Sequence, residues 1–203
     1  MTGKIFLSGG GDEIATKMLD EMFFAELPQN SNILYIATGF RESEKIASAS
    51  EWMQDMINMH GRTDIHYLFA DDLTPFKHLN DYHAIYIGGG DTNILMNEFD
   101  RTGFEFVLQN YNRHGGLIYG GGGGAITLGK FIDTGRDIHR QYKTGVELLG
   151  RYSVYTDYRD ENKDGWATSH DSLLICLPSG VGVVIEDGKI TRHAGSNYKI
   201  FEL

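Results

Sequence analysis

Cysteine is nearly missing from this chain: Cys176 is the only one in 203 residues. That excludes an internal disulfide framework and suits a reducing compartment, so a cytoplasmic protein is expected. Basic residues are also short, with 18 Lys and Arg against 28 Asp and Glu and a formal net charge of −10. Phosphate binding needs a basic surface, so no nucleic-acid partner is expected, nor any anchoring on an anionic membrane. No stretch approaches the roughly 18 apolar residues of a transmembrane helix. The opening MTGKIFLSGGG ends its short apolar run at glycines, which is not the pattern of a signal peptide. H-E-x-x-H and G-x-x-x-x-G-K-[ST] do not occur, and no linker or repeat divides the chain. A single domain over 1–203 is expected, with no metal and no cofactor.

Glycine is what the chain has in excess, at 26 residues, and much of it sits in three clusters, 9–11, 88–90 and 120–124. Each cluster follows a short apolar run: Lys4 to Ser8, His83 to Ile87, and Leu117 to Tyr119. Two further runs, Asn32 to Thr38 and Asp64 to Ala70, also read as strands. Helical spacing separates them at Ile14 to Phe23, Glu42 to Met59, and Asn93 to Asn112 with a break near Gly103. Buried strands alternating with helices predict an α/β fold, a parallel sheet with helices on both faces. The last third changes to short strands: 153–157, 173–177, 182–186, 190–193 and 198–202. Asp187-Gly188 is a hairpin signal between two of them. An antiparallel extension of the same domain is expected there.

In open parallel sheets ligands bind beyond the carboxyl ends of the strands, so the three glycine clusters should share one edge. They do not form a dinucleotide site. Gly9-Gly10-Gly11-Asp12-Glu13-Ile14 lacks the final glycine of G-x-G-x-x-G and puts two carboxylates where a pyrophosphate would lie. The stretch Leu117 to Gly129 (LIYGGGGGAITLG) instead has the layout of a nucleophile elbow, G-x-S-x-G: a strand, a sharp turn, then a small-residue helix start. Gly120, Gly122 and Gly124 hold the three key positions, with Gly122 where serine is expected.

This segment resembles the G-x-S-A-G-A elbow of the aspartyl-dipeptidase (peptidase E) family, relatives of cyanophycinase with a class I glutamine-amidotransferase-like fold. Ile85 to Leu95 (IYIGGGDTNIL) is similar to that family's strand, G-G-G-[ND]-T turn and helix. The resemblance runs from Lys4 to the C-terminal strands and implies a parallel-sheet α/β/α sandwich. It implies oxyanion-hole donors at Gly89 or Gly90 and at Gly123 on the elbow. It also aligns an acidic residue with Asp137 of Thr134-Gly135-Arg136-Asp137. The base histidine aligns with Asp157, ahead of matching Tyr158, Asp160 and Asn162.

The departures bear directly on chemistry. A serine hydroxyl attacks only when a base takes its proton, and here Gly122 has no side chain while Asp157 replaces the imidazole. A serine-peptidase homologue without catalysis is therefore expected, one that keeps a pocket for a small peptide or an acidic amino-acid derivative. Two other readings stay open. Asp137 and Asp157 could activate water as a pair of carboxylates, or the fold could serve a structural or assembly role with an empty pocket. Other candidates are weaker. Asp160 to Asp171 imitates an EF-hand loop but lacks the bidentate glutamate and flanking helices. Cys176 lies in an apolar strand pattern, and Ser179 in a Pro-Ser-Gly turn rather than an elbow. His170 follows the acidic loop and is a distant candidate for the site.

Overall fold

The protein is described from a computed structural model covering residues 2–132, 144–159 and 173–202. The first half runs β1 (Lys4–Ser8), α1 (Lys17–Ala25), β2 (Asn32–Ile36), α2 (Ser43–Met59), β3 (His66–Ala70) and β4 (Ala84–Ile87). Then come α3 (Thr92–Thr102), α4 (Phe104–Arg113), β5 (Leu117–Gly121) and α5 (Gly123–Thr127). The remaining strands are β6 (Tyr152–Thr156), β7 (Leu173–Leu177), β8 (Gly182–Glu186), β9 (Lys189–Ala194) and β10 (Lys199–Glu202). No helix among the described residues is long and apolar enough to cross a membrane.

Seven strands form the main sheet in the order β3-β2-β4-β5-β1-β8-β9. The first five are mutually parallel, and β8 and β9 extend the sheet antiparallel beyond β1. Asp187 (φ 49°) and Gly188 (φ 70°) make the tight β8–β9 turn, as the Asp-Gly pair predicts. The other C-terminal strands build a separate three-stranded sheet, β10-β7-β6. There the structure departs from the expected antiparallel extension in one respect: β6 and β7 pair in parallel. Short strands and tight turns reveal the elements, but pairing direction depends on the crossover between them, and residues 160–172 lie outside the described residues.

Because successive side chains of a strand point to opposite faces, these continuous apolar runs feed two cores. Ile5, Leu7, Leu34, Ile85 and Ile118 pack on one face, against Leu95 and Phe99 of α3 and Phe104 and Leu108 of α4. Phe6, Tyr35, Tyr86 and Tyr119 pack on the other, against Phe23 of α1 and Met53 and Met56 of α2. These layers, helix, sheet and helix, make the α/β sandwich. Gly103 takes φ 70°, breaking the expected long helix into α3 and α4. Asp91 caps α3 by accepting from the N–H groups of Asn93 (2.7 Å) and Ile94 (3.2 Å).

On the α1/α2 face the register sets one aromatic residue per strand side by side. Phe69 pairs with Tyr35, Tyr35 with Tyr86, Tyr86 with Tyr119, and Tyr119 with Phe6. The Tyr86 and Tyr119 rings stack at 4.3 Å between centroids, while Tyr35 meets Tyr86 edge-on at 5.4 Å. Phe23 covers one half of this row and Trp52 the other.

Candidate functional site

The site begins where β5 stops. Gly122 turns the chain into α5 with φ 52° and ψ −116°, a conformation strained for any L side chain. This is the sharp strand-to-helix turn that a nucleophile elbow requires. Its N–H donates to Ser8 O at 3.1 Å, and its carbonyl accepts from Ala125 N (3.0 Å) and Ile126 N (3.2 Å). A Cβ on Gly124 would fall 2.3 Å from Ile87 O, so α5 packs directly on the end of β4. A Cβ on Gly122, by contrast, would meet only Gly89 Cα, at 3.8 Å. The elbow is intact and the space for its missing side chain is open.

The turn after β4 faces it. Gly88 N–H donates to Ile36 O and Asp91 N–H to Gly39 O, each at 2.9 Å. Between them the N–H groups of Gly89 and Gly90 make no backbone hydrogen bond among the described residues, and neither does that of Gly123. Gly90 O lies against Gly123, where an added Cβ would approach to 2.3 Å. The third cluster closes the edge: Gly9 N–H donates to Val181 O (2.8 Å), and Gly10 O accepts from Gly180 N–H (2.7 Å).

Asp157 follows β6 with φ 51° and is exposed. Its N–H donates to Gly9 O at 3.0 Å, the carbonyl next to the Ser8 oxygen that holds Gly122. Positions 122 and 157 thus hang on consecutive carbonyls at the end of β1, although the Asp157 side chain is not part of the cleft wall described next. Asp137, the acidic loop 160–171 and His170 lie outside the described residues. Ser179 donates to Gly10 O at 3.3 Å and remains a turn residue.

Beside the elbow, on the α1/α2 face, opens a cleft of about 460 Å³. All three glycine clusters contribute to it, through Gly10 and Gly11, Gly88 and Gly89, and Gly121 and Gly122. Its walls are Tyr35 and Tyr86 from the aromatic row, Phe40, and Ala49 and Trp52 of α2; Ser8 and Thr16 add hydroxyls. Among the described lining residues the one cationic side chain is Lys45, whose Nζ bonds Glu42 Oε1 at 3.0 Å. Behind Thr16 lies Asp20, fully buried, accepting from Thr16 Oγ1 (2.6 Å) and Tyr119 Oη (2.7 Å). Burial pushes its carboxyl up to about 6, against the pull of those two hydroxyls. A second hollow of about 500 Å³ sits at the other edge of the sheet, by Lys4, His83 and Leu117. Those are amino ends of strands, the side where parallel sheets do not place ligands.

Attention to glycine turns found the edge of this site but not its walls. Tyr35, Trp52, Tyr86, Thr16 and Asp20 read as core or helix surface in the sequence. No local signal marks them: Phe6, Tyr35, Tyr86 and Tyr119 stand at different places within their strands, and only the strand register sets them at one level of the sheet.

Comparison with known proteins agrees with this geometry. The model of peptidase family S51 matches residues 5–192, and the chain belongs to that family. A peptidase from an acI-B1 Actinobacterium has the same fold, with a TM-score of 0.70 at 18% identity over 100% of this chain and 88% of that one. A putative peptidase E protein from Listeria monocytogenes EGD-e gives 0.67 at 16% identity, with 100% of both chains covered. No curated protein sequence matches the chain.

Proposed function

We propose that this chain is a non-catalytic member of peptidase family S51 that retains a binding cleft for a small peptide or amino-acid derivative. The observation that carries the reading is Gly122: the backbone of the elbow is kept at φ 52° and ψ −116° while no nucleophile stands on it. Glycine cannot form an acyl-enzyme, and Asp157 in place of the base offers a carboxylate, a much weaker proton acceptor than imidazole. The N–H groups of Gly89, Gly90 and Gly123, which make no backbone hydrogen bond among the described residues, support a role in holding a ligand carbonyl or carboxylate. The buried lone thiol of Cys176 supports placing the protein in the cytoplasm.

Hydrolysis of a panel of dipeptides, including N-terminal aspartyl ones, tests this directly. The unmodified protein is expected to show no turnover, and Gly122→Ser/Asp157→His to gain it where Gly122→Ser alone does not. Turnover by the unmodified chain would overturn the reading and redirect attention to Asp157 and a water.

A further inference from the structure

The walls of the cleft say more about the ligand than the family does. Four aromatic side chains, Tyr35, Phe40, Trp52 and Tyr86, surround the space beside Gly122. Trp52 is tilted 46° to Tyr35 and 55° to Tyr86, so the existing rings meet obliquely, as aromatic clusters prefer. Apart from Lys45, the polar side chains among the described lining residues are neutral hydroxyls. Tyr35 Oη lies 3.2 Å from where a Cβ on Gly88 would stand, and Tyr86 Oη 3.5 Å from one on Gly121. Both hydroxyls therefore sit at the glycine turns, joined by those of Ser8 and Thr16.

Charge points the same way. Lys45 and its partner Glu42 are both 60% exposed, so Lys45 offers an acidic ligand only a solvent-screened contact worth little. One layer deeper lies the buried carboxyl of Asp20, an acidic group that a ligand carboxylate would approach without a cation between them among the described residues. A carboxylate entering the cleft finds no buried cation among the described lining residues and a buried acidic side chain behind the wall. A flat apolar group finds ring faces and edges. The volume, about 460 Å³, suits a small ligand.

We infer that the cleft takes a dipeptide or amino-acid derivative carrying a neutral aromatic side chain rather than an acidic one. This rests on the ligand-binding reading above and narrows its ligand class. Trp52 and Phe40 form the contact surface for the aromatic group, and the hydroxyls of Tyr35 and Tyr86 stand where they can pair with the ligand's amide groups at the elbow.

Calorimetric titration of the full chain at pH 7.5 with Phe-Gly, Leu-Gly and Asp-Gly separates the two claims. Phe-Gly is expected to bind about tenfold or more tighter than Asp-Gly, the difference that burying one aromatic ring produces. Trp52→Ala is expected to remove that advantage. Ser48→Trp, a change at an exposed position on the cleft lining, should block Phe-Gly without depending on a core substitution. Equal or tighter binding of Asp-Gly overturns the inference and leaves the binding reading standing. Unchanged Phe-Gly affinity in a folded Ser48→Trp protein also overturns it. Failure of all three dipeptides to bind overturns the binding reading itself.

Discussion

At the elbow, two glycines two residues apart answer to different constraints. A methyl group on Gly124 would be driven into Ile87 O, so Gly124→Ala is expected to cost about 1–3 kcal/mol, read as a lowered urea midpoint. At Gly122 there is room, and the cost is that of holding an L residue at φ 52° and ψ −116°, about 1–3 kcal/mol. Gly122→Ala should therefore also lose stability although it clashes with nothing; a urea midpoint unchanged from the parent protein would mean that the elbow does not hold this backbone. Asp20 makes a different prediction. Its carboxyl titrates at about 6 when folded against 3.8 when free, so between those values the folded state holds a proton that the unfolded state has lost. Stability from this group is present below about pH 4 and lost as pH rises through 6, by about 2 kcal/mol between pH 4 and 7. Asp20→Asn removes that slope, and denaturation at the two pH values should show the variant gaining on the parent protein by that amount at pH 7. Burial of Asp20 was not legible in the sequence: spacing placed it on a helix, but only the packing of α1 over Tyr119 reveals a carboxylate sealed under a cleft.

Among the elements, α3 is the one whose start is fixed by a side chain. Asp91→Ala removes two hydrogen bonds to its first turn and is expected to lower stability by about 1 kcal/mol, with an unchanged urea m-value. The five parallel strands and the break at Gly103 could be read from apolar runs and glycine because each is a local signal. The β8–β9 hairpin was readable for the same reason, since Asp187 and Gly188 suit the positive φ of a tight turn. The parallel pairing of β6 with β7 was not, because a strand carries no mark of its partner's direction. Likewise the glycine turns disclosed the rim of the site, whereas its aromatic walls look like any core-facing strand until the cleft between Tyr35, Tyr86, Thr16 and Trp52 is seen. Ile14 shows the converse: it fits the apolar spacing of α1, yet it precedes the helix and is 71% exposed.

For the whole molecule, Cys176 offers a gauge of opening. It is fully buried in β7, the middle strand of the smaller sheet, and burial raises its thiol to about 12. Alkylation is expected to be negligible in native buffer at pH 8 and to rise along the same urea curve as far-UV circular dichroism; labelling well ahead of that curve would show that the smaller sheet opens separately. The aromatic row has a consequence of another kind. Parallel strands find one another late and can mispair, and a slip of one residue turns each inward ring to the opposite face. With Phe69, Tyr35, Tyr86, Tyr119 and Phe6 abreast, a slip of two residues at any one seam would part a ring from its neighbour across that seam. The row therefore works as an alignment mark for the native register, since any seam shifted by one or two residues forfeits a ring contact along the run of five strands.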